Sequence, residues 1–215
     1  MSYLQQLKRQ AQSLQSHHGE QLQGVEANTQ ATEVACSRIW SYFSELARQL
    51  NVIEPASTQM GLDKRSMWPG MKQAGFRFDA RKKMLRDKEV FDYLALGWQI
   101  VPRTGDVRRA AVSVNFPPDL ERVQSRLAAG HVVHERTEQR HPESNALLAI
   151  VFEYELAARA NVMVTADQDN ARLQFRLACV NGMDIVQHVL PAAQVDHALL
   201  DELARLIVGE PSRFP

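Results

Sequence analysis

The stretch Phe76–Trp98, "FRFDARKKMLRDKEVFDYLALGW", decides how the rest of the chain is read. Its first thirteen residues hold six cations, Arg77, Arg81, Lys82, Lys83, Arg86 and Lys88. Its second part is almost wholly apolar. Side chains alternate in a strand, so Phe76, Phe78 and Ala80 point one way while Arg77, Asp79 and Arg81 point the other. "VFDYLALGWQIV" is apolar on both faces apart from Asp92 and Gln99, which places it centrally in a sheet. The stretch therefore reads as a β-hairpin with a basic tip. That tip has two readings. It offers phosphates or carboxylates a site for counterion release, or it is a solvated turn whose lysines discourage edge pairing.

Upstream the period is helical. Residues 2–51 contain no proline and are rich in Gln, Leu, Ala and Glu. Heptads counted from Leu4 place Leu4, Leu7, Ala11 and Leu14 on a narrow seam, followed by the polar entries His18, Gln21, Asn28 and Thr32. From Cys36 through Ile39, Trp40, Phe43, Leu46, Ala47 and Leu50 the apolar face is broad. A broad face docks on a body and a narrow one pairs with another helix. The expectation is either one helix of about 50 residues, ~75 Å long, or two helices broken between Gly19 and Thr29. The narrow seam points to a homodimer through Leu4, Leu7, Ala11 and Leu14, or to an intramolecular helix pair. Residues 54–73 carry Pro, Gly and Ser without a period and read as a linker or surface loop pinned by Met67 and Trp68.

Downstream the spacing predicts strands at 75–84, 89–101, 108–116, 131–139, 146–166 (bent near Ala157–Ala160), 171–180 and 184–190. It predicts helices at 118–129 and 196–208. Pro118, Asp119 and Glu121 open the first of these and Gly130 stops it. Asp196 caps the second, and Gly209 with Pro211 ends it. Asn181-Gly182 suits a type I′ turn between the last two strands. The expected class is α+β: a long N-terminal helix or helix pair, then a largely antiparallel sheet with one mid-chain helix and a C-terminal helix packed on it. The expected organisation is a helical segment (1–53), a linker (54–73) and an α+β domain (74–215).

Lys and Arg total 25, as do Asp and Glu. The balance is uneven along the chain: 64–109 holds 12 basic and 5 acidic residues, while 110–215 holds 9 and 14. Whole-chain charge thus gives no sign of nucleic acid or membrane, and the basic segment does. Cys36 and Cys179 sit among apolar neighbours, without a CxxC or Cys/His cluster, and read as buried hydrophobes in a reducing compartment. No apolar h-region or run of ~20 apolar residues is present, so the expected location is the cytoplasm and no membrane span is expected.

Other candidate chemistry is weak. In "HVVHERTEQRH" (131–141) His131 and His134 fall on opposite faces of a strand, and Glu135 follows both, so the zinc-helix pattern is absent. "DQDN" (167–170) has Arg172 and Ala178 where a calcium loop needs Gly and Glu. Glu153 and Glu155 share a strand face, as acid–base pairs do and as solvent faces do. His17-His18 reads as surface. No catalytic residue, metal ligand or cofactor is assigned. The pattern of a helix closing in "LARQLNVIEP", a basic hairpin and a terminal "LLDELARLIVGEPSRF" resembles bacterial proteins and carries no functional residue over. The leading expectation is a non-enzymatic interaction or adaptor protein that self-associates through its N-terminal helix. Its basic hairpin, Arg77, Arg81, Lys82, Lys83, Arg86 and Lys88, would meet an acidic protein or a nucleic acid. The alternative is an enzyme or small-molecule binder with a pocket between sheet and helices, where His134, Glu135, Glu153 or Glu155 would converge.

Overall fold

Residues 3–53 form one uninterrupted helix, α1 (Tyr3–Ile53). The computed structural model describes residues 3–63 and 67–215, with backbone alone for residue 4 and residues 9–22. The helix does not break between Gly19 and Thr29, which decides between the two expectations. Gly24 sits in open space and costs roughly 1 kcal/mol there, less than a break would forfeit in continuous backbone hydrogen bonds. The C-terminal half of α1 buries Ala35, Cys36, Ile39, Phe43, Ala47 and Leu50. Each of the larger side chains contributes about 1.5–3 kcal/mol by leaving water.

That face lies on a five-stranded antiparallel sheet. Its strands are β1 (Met71–Leu85), β2 (Lys88–Pro102), β6 (Ala158–Asp167), β7 (Arg172–Ala178) and β8 (Ile185–Pro191), in that spatial order. Phe78 packs edge-on against Trp40 and Phe43 of α1. Leu94, Leu96, Val162, Val164, Leu173 and Phe175 complete the layer. The C-terminal helix α3 (His197–Val208) lies beside α1 over the same face, burying Leu200, Leu203 and Ile207. Asp196 accepts from the Leu199 N–H, and Gly209 closes the helix in left-handed backbone at φ +78°. Both caps were readable in the sequence.

The remaining strands, β3 (Arg109–Val114), β4 (His134–Arg140) and β5 (Leu147–Glu155), form a second antiparallel sheet in the order β3-β5-β4. Helix α2 (Pro117–Ala129) lies against β3 and buries Val123, Leu127 and Ala129. The expected strand at 146–166 is therefore two strands in two sheets, and the chain crosses over at Leu156–Ala157. Gly130 marks the seam. A Cβ there would come within 3.2 Å of Ala158 Cβ and Val132 Cγ2, and its carbonyl accepts from the Arg159 N–H at 2.7 Å.

The described residues of the stretch 54–73 pack in part on the body. Met60, Leu62 and Trp68 are buried, whereas Met67 is exposed. Residues 55–57 pair with the start of β1, so that strand begins at Met71 instead of 75. The Asn181-Gly182 type I′ turn does not form. Gly182 and Cys179 have positive φ and Asn181 does not. The loop closes instead through Cys179 N–H to the Asp184 carbonyl, with Gly182 N–H donating to Thr58 Oγ1. A contact from the 54–63 segment thus overrides local turn chemistry.

Candidate interaction surface at the β1–β2 hairpin

Two bulges shape the hairpin. Gly75, at φ +65°, is an extra residue between Ala74 and Arg77, a position that favours glycine. Asp92 is the extra residue of β2, between the pairs Arg81–Tyr93 and Lys82–Phe91. The turn joins Leu85 to Lys88 through Arg86 and Asp87, both in left-handed backbone at φ +50° and +59°. This is the two-residue geometry of a primed turn, formed without the glycine or asparagine that normally announces it.

The structure gives five of the six cations carboxylate partners. Lys83 Nζ lies 2.9 Å and Arg81 Nε 3.7 Å from the carboxylate of Asp92, the bulge residue. Lys82 reaches Glu89 at 3.1 Å and stands over the Phe91 ring at 5.2 Å. Arg86 pairs with Asp169 in the β6–β7 turn, and Lys88 with Glu26 of α1. The Lys88 ammonium, mainly through its hydrogen bond, holds the Glu26 carboxyl below its ordinary 4.5. Arg77 lies apart on the face of the sheet turned away from α1, opposite Gly97 and on the same face as Asp79, which accepts from the Tyr93 hydroxyl. That bond pushes the Tyr93 phenol above its ordinary 10.0. The sequence could not show that Glu26 and Asp169, 62 and 83 positions away from their partners, close over the hairpin.

Beneath the hairpin α1 ties the sheet with a buried polar joint. Pairing of β2 with β6 stops at Tyr93–Thr165, so Phe91 has no strand on that side. Glu33 Oε1 accepts the Phe91 N–H at 2.9 Å, and Gln168 Nε2 donates to the Phe91 carbonyl at 3.1 Å. Gln168, 4% exposed, also donates to Glu33 at 2.8 Å. Two side chains thus stand in for the missing strand. Between this joint and the hairpin tip runs a groove of about 700 Å3 lined by Val25, Glu26, Thr29, Glu33, Arg86 and Val90 among others.

No family model, curated protein or solved structure matches the chain.

The other candidates separate in space. His134 lies on one face of β4 with its ring 5.8 Å from Phe152. Glu135 and Glu153 face each other across β4 and β5 on the opposite side. Glu135 and Glu155 both lie near Arg109, at 3.3 and 3.9 Å. These four residues do not converge on one pocket. His131 is not in the strand and sits in left-handed backbone at φ +47°. "DQDN" is the β6–β7 turn, where Asp167 accepts from Asn170. Among the described residues no group of three or more His, Cys, Asp or Glu is placed to hold a metal ion. Among the described residues no helix is long and apolar enough to cross a membrane. The side chains of Leu4, Ala11, Leu14 and His17-His18 lie outside the described residues, and Leu7 is exposed.

Proposed function

We propose that this is a non-enzymatic interaction protein that self-associates through α1 and offers the β1–β2 hairpin to an acidic partner. The observation that carries the reading is the length of α1 against what it covers. Its engagement with the hairpin starts at Val25 and Glu26. The described side chains ahead of that point, Tyr3 and Leu7 among them, are exposed. Residues 3–24 run ~33 Å at 1.5 Å per residue. A lone helix of that length is marginal in water, more so with Gly19 and Gly24 inside it. A second copy laid along the Leu4, Leu7, Ala11, Leu14 seam supplies the cover.

The hairpin's ion pairs fit the second half of the reading. Exposed pairs of this kind contribute about 0–1 kcal/mol, so an acidic chain can exchange with Asp92, Glu89, Asp169 and Glu26 at small cost. Size-exclusion chromatography with light scattering tests the first half. The full chain is expected at no less than twice 24.3 kDa and a variant lacking residues 1–24 at a lower order. A monomeric full chain at high concentration removes the helix contact. Titration with DNA, RNA and a polyglutamate peptide at low and high salt tests the second half. Binding that weakens with salt and is lost in Lys82→Glu/Lys83→Glu supports it, and an absent or salt-independent response removes it.

The groove of about 700 Å3 favours a second reading, a small-molecule binder, because its size lies in the usual range for ligand sites. A fragment library that raises the melting temperature of the native chain but not of Gln30→Trp would establish it.

A further inference from the structure

We infer that the free edge of β8 is a contact surface whose occupant is the same strand of a second copy, paired antiparallel about a twofold axis. This goes beyond the α1 contact and does not depend on it. The two sheets have four edge strands, β1, β8, β3 and β4. Three of them carry devices that discourage pairing. β1 is covered at its start by residues 55–57, bulged at Gly75 and then loaded with Arg77, Arg81, Lys82 and Lys83. β4 carries Glu135, Arg136, Glu138 and Arg140 within seven residues. β3 begins with Arg109 and runs directly into α2, which lies against it. Lysines, charges, bulges and covering elements are the common protections of a sheet edge.

β8 has no lysine, charge or bulge; Pro191 ends it, and Phe214 sits against His188 on one of its faces without pairing with its edge. Its sequence IVQHVLP contains no Lys, Arg, Asp or Glu. Its only ladder is with β7, and among the described residues no other backbone hydrogen bond reaches residues 185–191. Three of its seven residues are apolar and about half exposed: Ile185 at 44%, Val186 at 47% and Val189 at 56%. Ile185 and Val189 lie on one face and Val186 on the other, so an added strand gains cover on both. Pro191 has no N–H to give and limits the pairing to 185–190.

The occupant follows from charge and symmetry. An antiparallel strand paired about a twofold presents the identical row back to itself. With no charged residue in that row, nothing like-charged meets across the axis. The whole chain has a formal net charge of +0, so two copies approach without net repulsion. The five-stranded sheet would continue through the axis into its counterpart, and the unpaired N–H and C=O groups of both edges would be satisfied.

Hydrogen exchange read by mass spectrometry on the full chain tests this, with Val189→Lys, Val186→Lys and Leu7→Glu compared with the parent. All three positions are exposed, so the variants retain the fold, which thermal melting checks. The expected result is that amides of 185–190 exchange more slowly as protein concentration rises, by tenfold or more. That slowing is lost in both lysine variants and kept in Leu7→Glu, which disturbs only the helix contact. Concentration-independent exchange at 185–190 overturns the proposal. Slow exchange that survives both lysine substitutions also overturns it, because the occupant is then something other than a second copy. A Leu7→Glu mass that falls no further than that of the β8-paired dimer, with β8 protection retained, separates failure of the helix contact from failure of this one.

Discussion

Arg86 and Asp87 place two side-chain-bearing residues in backbone that L-amino acids avoid. Arg86 is held there by Asp169, whereas Asp87 is exposed and makes no ion pair among the described residues. Asp87→Gly is therefore expected to stabilise the chain by about 1 kcal/mol, raising the thermal midpoint by ~2–4 °C. Glu33 is the opposite case. Removing it as Glu33→Ala orphans the Phe91 N–H and one donor contact of buried Gln168, a loss of about 2–6 kcal/mol at ~1–3 kcal/mol for each unsatisfied group. Chemical denaturation checks it against Glu45→Ala, which breaks only exposed contacts, with Arg48 and Gln49, and should change stability by about 0–1 kcal/mol. Burial pushes both thiols, Cys36 and Cys179, from 9.0 up to about 12. Their folded values exceed their unfolded ones, so their contribution is fully present below pH 9 and declines as pH rises from 9 towards 12. Denaturation midpoints should fall across that window, and Cys36→Ala/Cys179→Ala should flatten the fall. A thiol reagent at neutral pH should label neither residue until the chain unfolds.

Among the elements, α3 is where spacing and structure agree most fully. Leu203→Ala empties a fully buried site between helix and sheet and should cost about 2–5 kcal/mol. Asp196→Ala removes the bond to the Leu199 N–H and should cost about 1 kcal/mol; urea midpoints of the two variants rank them. The hairpin Phe76–Trp98 was equally legible, because alternation, a charged tip and an apolar second strand all point one way. Two elements were not. The 146–166 run signalled a bend at Ala157–Ala160, yet alternation carries no record of which sheet a strand joins, so the split between β5 and β6 was invisible. Asn181-Gly182 carried the strongest local turn signal and lost to a hydrogen bond that the Gly182 N–H donates to Thr58, while Arg86-Asp87 carried none and formed the primed turn. Turn chemistry is a preference of about 1 kcal/mol, within reach of one tertiary contact.

For the whole molecule, the α+β layout followed from the change of period near residue 70. The charge map did not, since it depends on which carboxylates fold over which cations. Glu26 and Asp169 come from distant parts of the chain, and with Asp92 and Glu89 they pair five of the six cations; Arg77 makes no ion pair among the described residues. The overhang of α1 also has a scale. A 215-residue chain packed as a sphere-like body has a radius of gyration of about 17 Å. The residues of α1 ahead of Val25 span ~33 Å of helix, and X-ray scattering from the full chain at low concentration measures how far they raise that value. A second copy gripping the far tip of α1, as proposed, would be kept at arm's length from the strands, and the helix would then serve as a spacer between two tethered masses.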